Sequence, residues 1–334
     1  MPIVLNVMEC ATGGAPIQLV EEMRAVPHVD QAVLWPAIND ELASGLDVDL
    51  YEMPSGRRAQ AGAVRAILRA FSHADLVVAH SSFAGMFVRA QPQRLPAPVI
   101  FEPHGWSFTN PVFSPKARRV YRALEKAMVP RTAAVMAAST FDVQTARDLG
   151  HRNVHQVVVP SRATSLIGRD ESPLVVTVGR VTPVKGPDFF AQVARLVRAK
   201  NPDIRFRWVG AGRDDLTMDL LDAGVEVTGW VSEQEAWEHQ AQAHLHIHTS
   251  VWEGFSRVVL DAGWLGTPMA LRDIPMFADV PGERIRTPAQ MADTVLATIA
   301  GRLEWPTTAS AYVHDMSDAA RFADTMAAIY GTTP

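Results

Sequence analysis

The sequence has a single cysteine, Cys10, among 334 residues. That excludes an internal disulfide and points to a reducing compartment. No apolar run approaches the eighteen or so residues needed to span a bilayer. The start shows no basic stretch with a cleavage site behind it, so a cytoplasmic protein is expected. Charged residues make up only 20%, with a net charge of −5. An acidic chain whose basic stretches lack interleaved aromatics argues against a nucleic-acid partner. Internal repeats and low-complexity tracts are missing too. So is any spacing of Ser, His and Asp, or of Cys and His, that would build a nucleophile. Gly13-Gly14 is followed by Ala15-Pro16 rather than a third spaced glycine, which excludes the full dinucleotide fingerprint.

What is present is length and alternation. A chain of 334 residues fits two domains of about 150 each, and strands alternate with helices, the pattern of parallel sheets with right-handed crossovers. Strands are expected at Ile3–Met8, Ala32–Trp35, Leu76–Ala79, Val99–Glu102, Ala133–Ala138 and Val154–Val159. After a polar linker around Pro160–Ser172 a second set follows at Leu174–Val178, Ile204–Val209, Val225–Thr228, Leu245–Thr249 and Met269–Leu271. The predicted fold class is α/β, with two doubly wound domains covering 1–160 and 161–312. In such sheets the loops at the carboxyl ends of the strands carry the chemistry.

Charge is uneven. Residues 1–160 hold 15 Lys+Arg against 14 Asp+Glu, or +1, whereas 161–334 hold 16 against 22, or −6. Lys116, Arg118, Arg119, Arg122 and Lys126 follow the helix opening Ser114-Pro115, with Val120, Leu124 and Ala127 as an apolar stripe. Such a helix suits an anionic membrane surface, or equally a plain solvated face.

Candidate chemistry gathers at strand ends. In Val178-Gly179-Arg180-Val181-Thr182-Pro183-Val184-Lys185-Gly186, two cations five residues apart precede a helix start. Two fixed positive charges beside a helix N-terminus suit a diphosphate; either cation alone would read as a surface residue in a turn. Glu253 sits in a Gly-Phe-Ser turn before an apolar helical run, with Asp261 eight residues on. Eight residues are a little over two helical turns, so both carboxylates can reach one cleft. The backbone N–H groups of Gly254, Phe255 and Ser256 can meet phosphate or sugar hydroxyls. The plainer reading is a capped amphipathic helix with a Gly-Thr-Pro stop. Gly13-Gly14 offers close backbone approach to an anion, or only a tight turn. His80 and His104 each close a strand, His104 before an exposed-looking loop.

Two patterns invite a metal reading. His244, His246 and His248 alternate along one strand, but the outer pair is roughly 13 Å apart by strand rise. Asp47-Val48-Asp49 is formally D-x-D and reads as solvated turn residues.

The G-R-x(4)-K-G segment Gly179–Gly186 and the acidic pair Glu253 and Asp261 resemble the donor-site motifs of family 4 glycosyltransferases, here with Asp where the family has a second Glu. The Gly-Gly loop, His80-Ser81, His104-Gly105 and Ser139–Gly150 match in order, although the acidic residue that usually follows the Gly-Gly loop is missing. The resemblance implies a GT-B fold, with facing Rossmann-like domains and a final segment, 313–334, crossing back to the first. It implies a retaining, metal-independent transferase of polysaccharide-biosynthesis type that needs no cofactor. The donor would be a nucleoside-diphosphate sugar such as UDP- or GDP-sugar. The acceptor would be a saccharide, a lipid-linked glycan or a small molecule. Arg180 and Lys185 would stabilise the leaving diphosphate and Glu253 hold sugar hydroxyls. Asp261 would bind the ribose and His104 align the reacting sugar. Gly210, Trp230 and Val231 would lie near the donor and its base. A GT-B nucleotide-sugar 2-epimerase and a non-catalytic nucleotide-sugar binder are the alternatives.

Overall fold

The structure is a computed structural model, describing residues 1–11, 13–36, 45–92, 95, 97–303 and 307–331, with the side chains of 307–310 left out. Thr12, in the expected glycine loop, lies outside the described residues. The chain divides into two compact units, Met1–Val159 with Asp318–Pro334, and Pro160–Ser317.

The strands of the first unit are β1 (Ile3–Met8), β2 (Asp30–Trp35), β3 (Val48–Glu52), β4 (Leu76–His80), β5 (Val99–Glu102), β6 (Ala134–Ala137) and β7 (Val154–Gln156). Its helices are α1 (Gly14–Ala25), α2 (Arg57–Ala70), α3 (Ser82–Arg89), α4 (Pro115–Met128) and α5 (Thr140–Leu149). All pairings are parallel, in the order β3-β2-β1-β4-β5-β6-β7. Strands of a parallel sheet are covered on both faces, which is why they read as continuous apolar runs. Alternation then sorts their side chains. Leu5, Val7, Val77, Ala79 and Phe101 pack into one cluster, while Val4, Val78, Ile100 and Met136 pack into another.

The second cluster is closed by a helix from the far end of the chain. Phe322, Met326 and Tyr330 of the last helix are buried in it. This segment begins at Asp318, not at 313 as expected. The reason is Val313, which packs against Gly263 in the second unit, where an added Cβ on the glycine would lie 2.7 Å from it. Asp318 then caps the returning helix by accepting from the Arg321 N–H at 2.6 Å.

The second unit holds β8 (Leu174–Val178), β9 (Arg205–Val209), β10 (Glu226–Val227), β11 (Leu245–His248) and β12 (Met269–Leu271), in the order β10-β9-β8-β11-β12. Its helices are α6 (Pro187–Arg198), α7 (Asp214–Asp222), α8 (Glu233–Gln242), α9 (Arg257–Trp264), α10 (Pro288–Ile299) and α11 (Thr307–Met316); the returning helix is α12 (Ala319–Tyr330). In each sheet the strand order reverses beside the first strand, between β1 and β4 and between β8 and β11. Loops leaving opposite ways at that point open a crevice at the carboxyl ends.

Three expectations change. Asp47-Val48-Asp49 is not a turn, because Val48–Glu52 forms the edge strand β3, paired to β2 alone. The loop after His104, expected to look exposed, is anchored by Trp106, which is fully buried and donates its indole N–H to the Asp142 carbonyl at 3.1 Å. On α4 the stripe of Val120, Leu124 and Ala127 faces solvent. The inward anchor is Glu125 instead, paired at 2.9 Å with Arg89, whose guanidinium lies 3.6 Å over the Phe101 ring. Burial pushes Glu125 up and Arg89 down, and each offsets the other.

Candidate active site

In the second unit the two loops flanking the β8/β11 reversal are stitched together by backbone. The Val251 N–H donates to the Val184 carbonyl at 2.8 Å, and the Thr249 hydroxyl to the Lys185 carbonyl at 2.8 Å. Gly186 makes this approach possible: it sits at φ 67°, and a Cβ there would lie 2.3 Å from the Thr249 carbonyl oxygen. Gly210, at φ 136°, packs as closely on the Gly179 carbonyl, 2.2 Å from where its Cβ would be. Pro187 then opens α6, so the loop ends at a helix N-terminus.

This stitching brings Lys185 and Glu253, 68 residues apart in sequence, to 2.6 Å. Three donors converge on Glu253 Oε1: Lys185 Nζ, the Ser250 hydroxyl at 2.7 Å and His248 Nε2 at 3.2 Å. Burial opposes ionisation of Glu253. The Lys185 charge and His248 outweigh it and hold the carboxyl well below the usual carboxylate range. Arg180 is exposed on the same loop as Lys185. Gly254 and Ser256 are buried and Phe255 half-buried, with Ser256 preceding α9.

Asp261, on α9, is buried and accepts from the Ser161 hydroxyl at 2.6 Å. Burial raises its carboxyl against the lowering pull of Arg257, Ser161 and Trp237. It therefore stands on the helix behind the Glu253 turn, already held by partners. Trp230 is 67% exposed, next to half-buried Val231. The His pattern on β11 resolves by burial. His246 and His248 are fully buried, their rings 6.4 Å apart, and burial with His248 beside it lowers His246 to about 3. His248 was hidden in the sequence because its partner lies beyond the strand, in the turn.

In the first unit the β1/β4 reversal carries a buried acid–imidazole cluster. His80 Nδ1 lies 2.8 Å from Glu102 Oε2, and its Nε2 lies 3.3 Å from Asn6 Oδ1. The His104 ring stacks on His80 at 5.5 Å, its Nε2 3.5 Å from the same Glu102 oxygen. Gln18 donates to both Glu22 and Glu102. Burial pushes Glu102 up to about 8, and burial together with Glu102 pushes Glu22 well above the carboxylate range. Burial likewise drives His80 and His104 down. Burial thus opposes charge on each of these carboxyls and imidazoles.

Ser81 (φ 72°) and His104 (φ 49°) both hold left-handed backbone without being glycine. Strain of this kind collects at functional sites. Glu9 explains Ser81, accepting from its hydroxyl and from the Phe83 and Ala84 N–H groups at the start of α3. Sequence reading passed over Glu9, Glu22 and Glu102, which have no motif of their own. Gly13 (φ 96°) and Gly14 are exposed at the start of α1.

His80, Glu102 and His104 each offer a ligand atom within 4.8 Å of the others, which makes them the metal-capable group among the described residues. Two of those atoms are already 2.8 Å apart, a hydrogen-bond separation. Tetrahedral zinc ligands about 2.1 Å from the metal stand about 3.4 Å apart, so as arranged the group fits a shared proton better.

Comparisons with known proteins agree with the fold. Residues 172–301 match the family described as "Glycosyl transferases group 1", and residues 18–162 match "Glycosyl transferase 4-like domain". Among solved structures, sucrose-phosphate synthase from Thermosynechococcus elongatus superposes with a TM-score of 0.80 at 14% identity, over 99% of this chain and 98% of that one. Anabaena HepE in complex with UDP and glucose superposes at 0.82 and 15% identity over 100% of both chains. Staphylococcus aureus TarM, in complex with Fondaparinux, alpha-GlcNAc-glycerol and UDP, superposes at 0.71 and 10% identity over 99% and 97%. Among curated proteins, no sequence matches. At these identities the structural likenesses speak for the fold, which is GT-B.

Proposed function

We propose, from the premise that this chain belongs to the group 1 and 4-like glycosyltransferases, that it moves a sugar with retention of configuration from a nucleoside-diphosphate sugar to an acceptor hydroxyl, without a metal. The observation that carries this reading is the Lys185–Glu253 pair beside a helix N-terminus. A diphosphate arriving there meets the Lys185 ammonium, the Arg180 guanidinium and the opening N–H groups of α6. These are fixed charges aimed where negative charge develops as the leaving group departs. They supply the stabilisation a metal would otherwise bring. Glu253, released by Lys185, is then free to accept from sugar hydroxyls. Asp261 serves the ribose and the Trp230–Val231 segment the base, while His104 hydrogen-bonds the reacting sugar. Since the HepE and TarM structures carry UDP, UDP-sugars lead the candidates.

The test is a thermal-shift panel of UDP-glucose, GDP-mannose, ADP-glucose and TDP-glucose, run with and without EDTA. Ligand at a hundred times its Kd stabilises by about 2.7 kcal/mol, a rise of roughly 5–10 °C. The expected result is such a rise for one nucleotide class, unchanged by EDTA, with a product of the donor's own anomeric configuration. A flat panel would remove the reading, and an epimerised donor formed without acceptor would favour the isomerase alternative.

For the acceptor, the outer face of α4 supports contact with an anionic membrane and hence a lipid-linked substrate. Val120 and Leu124 are 50% and 38% exposed, amid exposed Lys116, Arg119, Arg122 and Lys126. Each cation near such a surface contributes about 1 kcal/mol. The protein should sediment with phosphatidylserine vesicles at low salt and come off at high salt; no pelleting at low salt would point to a soluble acceptor.

A further inference from the structure

His248 is fully buried at the carboxyl end of β11, against Phe277 edge-on at 4.8 Å. Among the described residues its Nδ1 has no hydrogen-bond partner, while its Nε2 lies 3.2 Å from Glu253 Oε1. Burial lowers its proton affinity, which keeps the ring neutral. A neutral ring beside a carboxylate places its one proton on Nε2, where it donates. An imidazole kept in a core with one nitrogen unsatisfied is poor packing, and its return is at Glu253. The Lys185 ammonium holds the same oxygen and is the group the donor diphosphate must capture. A carboxylate that loses its only cation inside a protein tends to take up a proton and swing. Two donors remain to prevent this, His248 Nε2–H and the Ser250 hydroxyl at 2.7 Å.

We infer that His248 is a positioning residue, whose Nε2–H keeps the Glu253 carboxylate ionised and aimed at the donor sugar once Lys185 has turned to the diphosphate. The inference rests on the proposed donor site. Its signature is selectivity for the sugar. His248 Nε2 reaches Glu253 at 3.2 Å and, at 3.5 Å, the Ser250 hydroxyl that also donates to Glu253. It should therefore matter more for a nucleotide sugar, which needs the aimed carboxylate, than for the bare nucleoside diphosphate, which only draws Lys185 away.

The experiment measures Kd by calorimetry for UDP-glucose, GDP-mannose, ADP-glucose and TDP-glucose, each against its own nucleoside diphosphate. The proteins compared are the parent, His248→Leu, His248→Asn and His248→Gln, with Tm for each. A hydrogen bond to a charged group corresponds to about a tenfold change in affinity. In His248→Leu the preference for the sugar-bearing form should fall by about that factor, with the diphosphate Kd changing less and Tm equal or higher. The Gln amide nitrogen falls where Nε2 lies and should restore the preference. The Asn amide ends at the Nδ1 position and should not. If His248→Leu fails to fold, the Asn and Gln pair reads the same difference. Equal preference in parent and variants overturns the inference alone. A parent that binds none of the eight ligands overturns the donor-site reading and this inference with it.

Discussion

Alanine at Lys185 is expected to lower transfer by about 10²–10³-fold, the usual cost of removing one fixed group that stabilises transition-state charge. The loss should fall more heavily on kcat/KM than on kcat, because Lys185 holds the diphosphate on binding and holds it more strongly as leaving-group charge grows. The fold should survive, since Glu253 keeps the Ser250 hydroxyl and His248. The pH dependence of stability should nevertheless change. In the parent, Glu253 titrates below its ordinary value of 4.5. The pair therefore contributes stability that is present above about pH 4.5 and lost as pH falls through the lower folded value. Without Lys185, burial is opposed more weakly, and that acid-side contribution shrinks or reverses. Unfolding curves between pH 3 and 8 would show it. Turnover within a few-fold of the parent would contradict the diphosphate role.

Alanine at Gly186 should be among the most damaging changes to the second unit. The residue's φ of 67° lies in the left-handed region, and its added Cβ would overlap the Thr249 carbonyl oxygen at 2.3 Å. The left-handed cost alone is about 1–2 kcal/mol. With the overlap we expect about 3 kcal/mol in all, a Tm fall of roughly 6–12 °C. Relief requires the loop carrying Lys185 to part from the Thr249–Val251 segment, which breaks the Val251–Val184 and Thr249–Lys185 bonds. Activity should drop with stability, unlike in Lys185→Ala, where they separate. Alanine at Gly229, where an added Cβ meets nothing within 4 Å, is the control for left-handed strain without a clash.

The buried strands were legible because a parallel sheet covered on both faces writes itself as apolar runs. β1, β5, β8 and β12 fall where those runs lie. β3 was not legible: it pairs on one side only, and its Val-Asp-Leu-Tyr-Glu residues are largely exposed, so its polar positions read as a turn. Lys185 and Glu253 carried motif signals, and only the fold shows that they share a proton-scale contact. Glu102 and Glu22 carried none. A carboxyl at a strand end and another on a helix look ordinary until burial puts them around one imidazole. The same holds for His248, where alternation along the strand drew attention to neighbouring histidines and away from a glutamate in the next turn.

If Lys185 exchanges Glu253 for a donor diphosphate, calorimetric titration of UDP-glucose into the parent and Lys185→Ala at two salt concentrations will separate the two proteins. The parent should bind, and bind more weakly as salt rises, while the variant should lose most of its affinity and much of that salt dependence. Equal affinity in the two proteins, with equal salt dependence, would contradict the exchange.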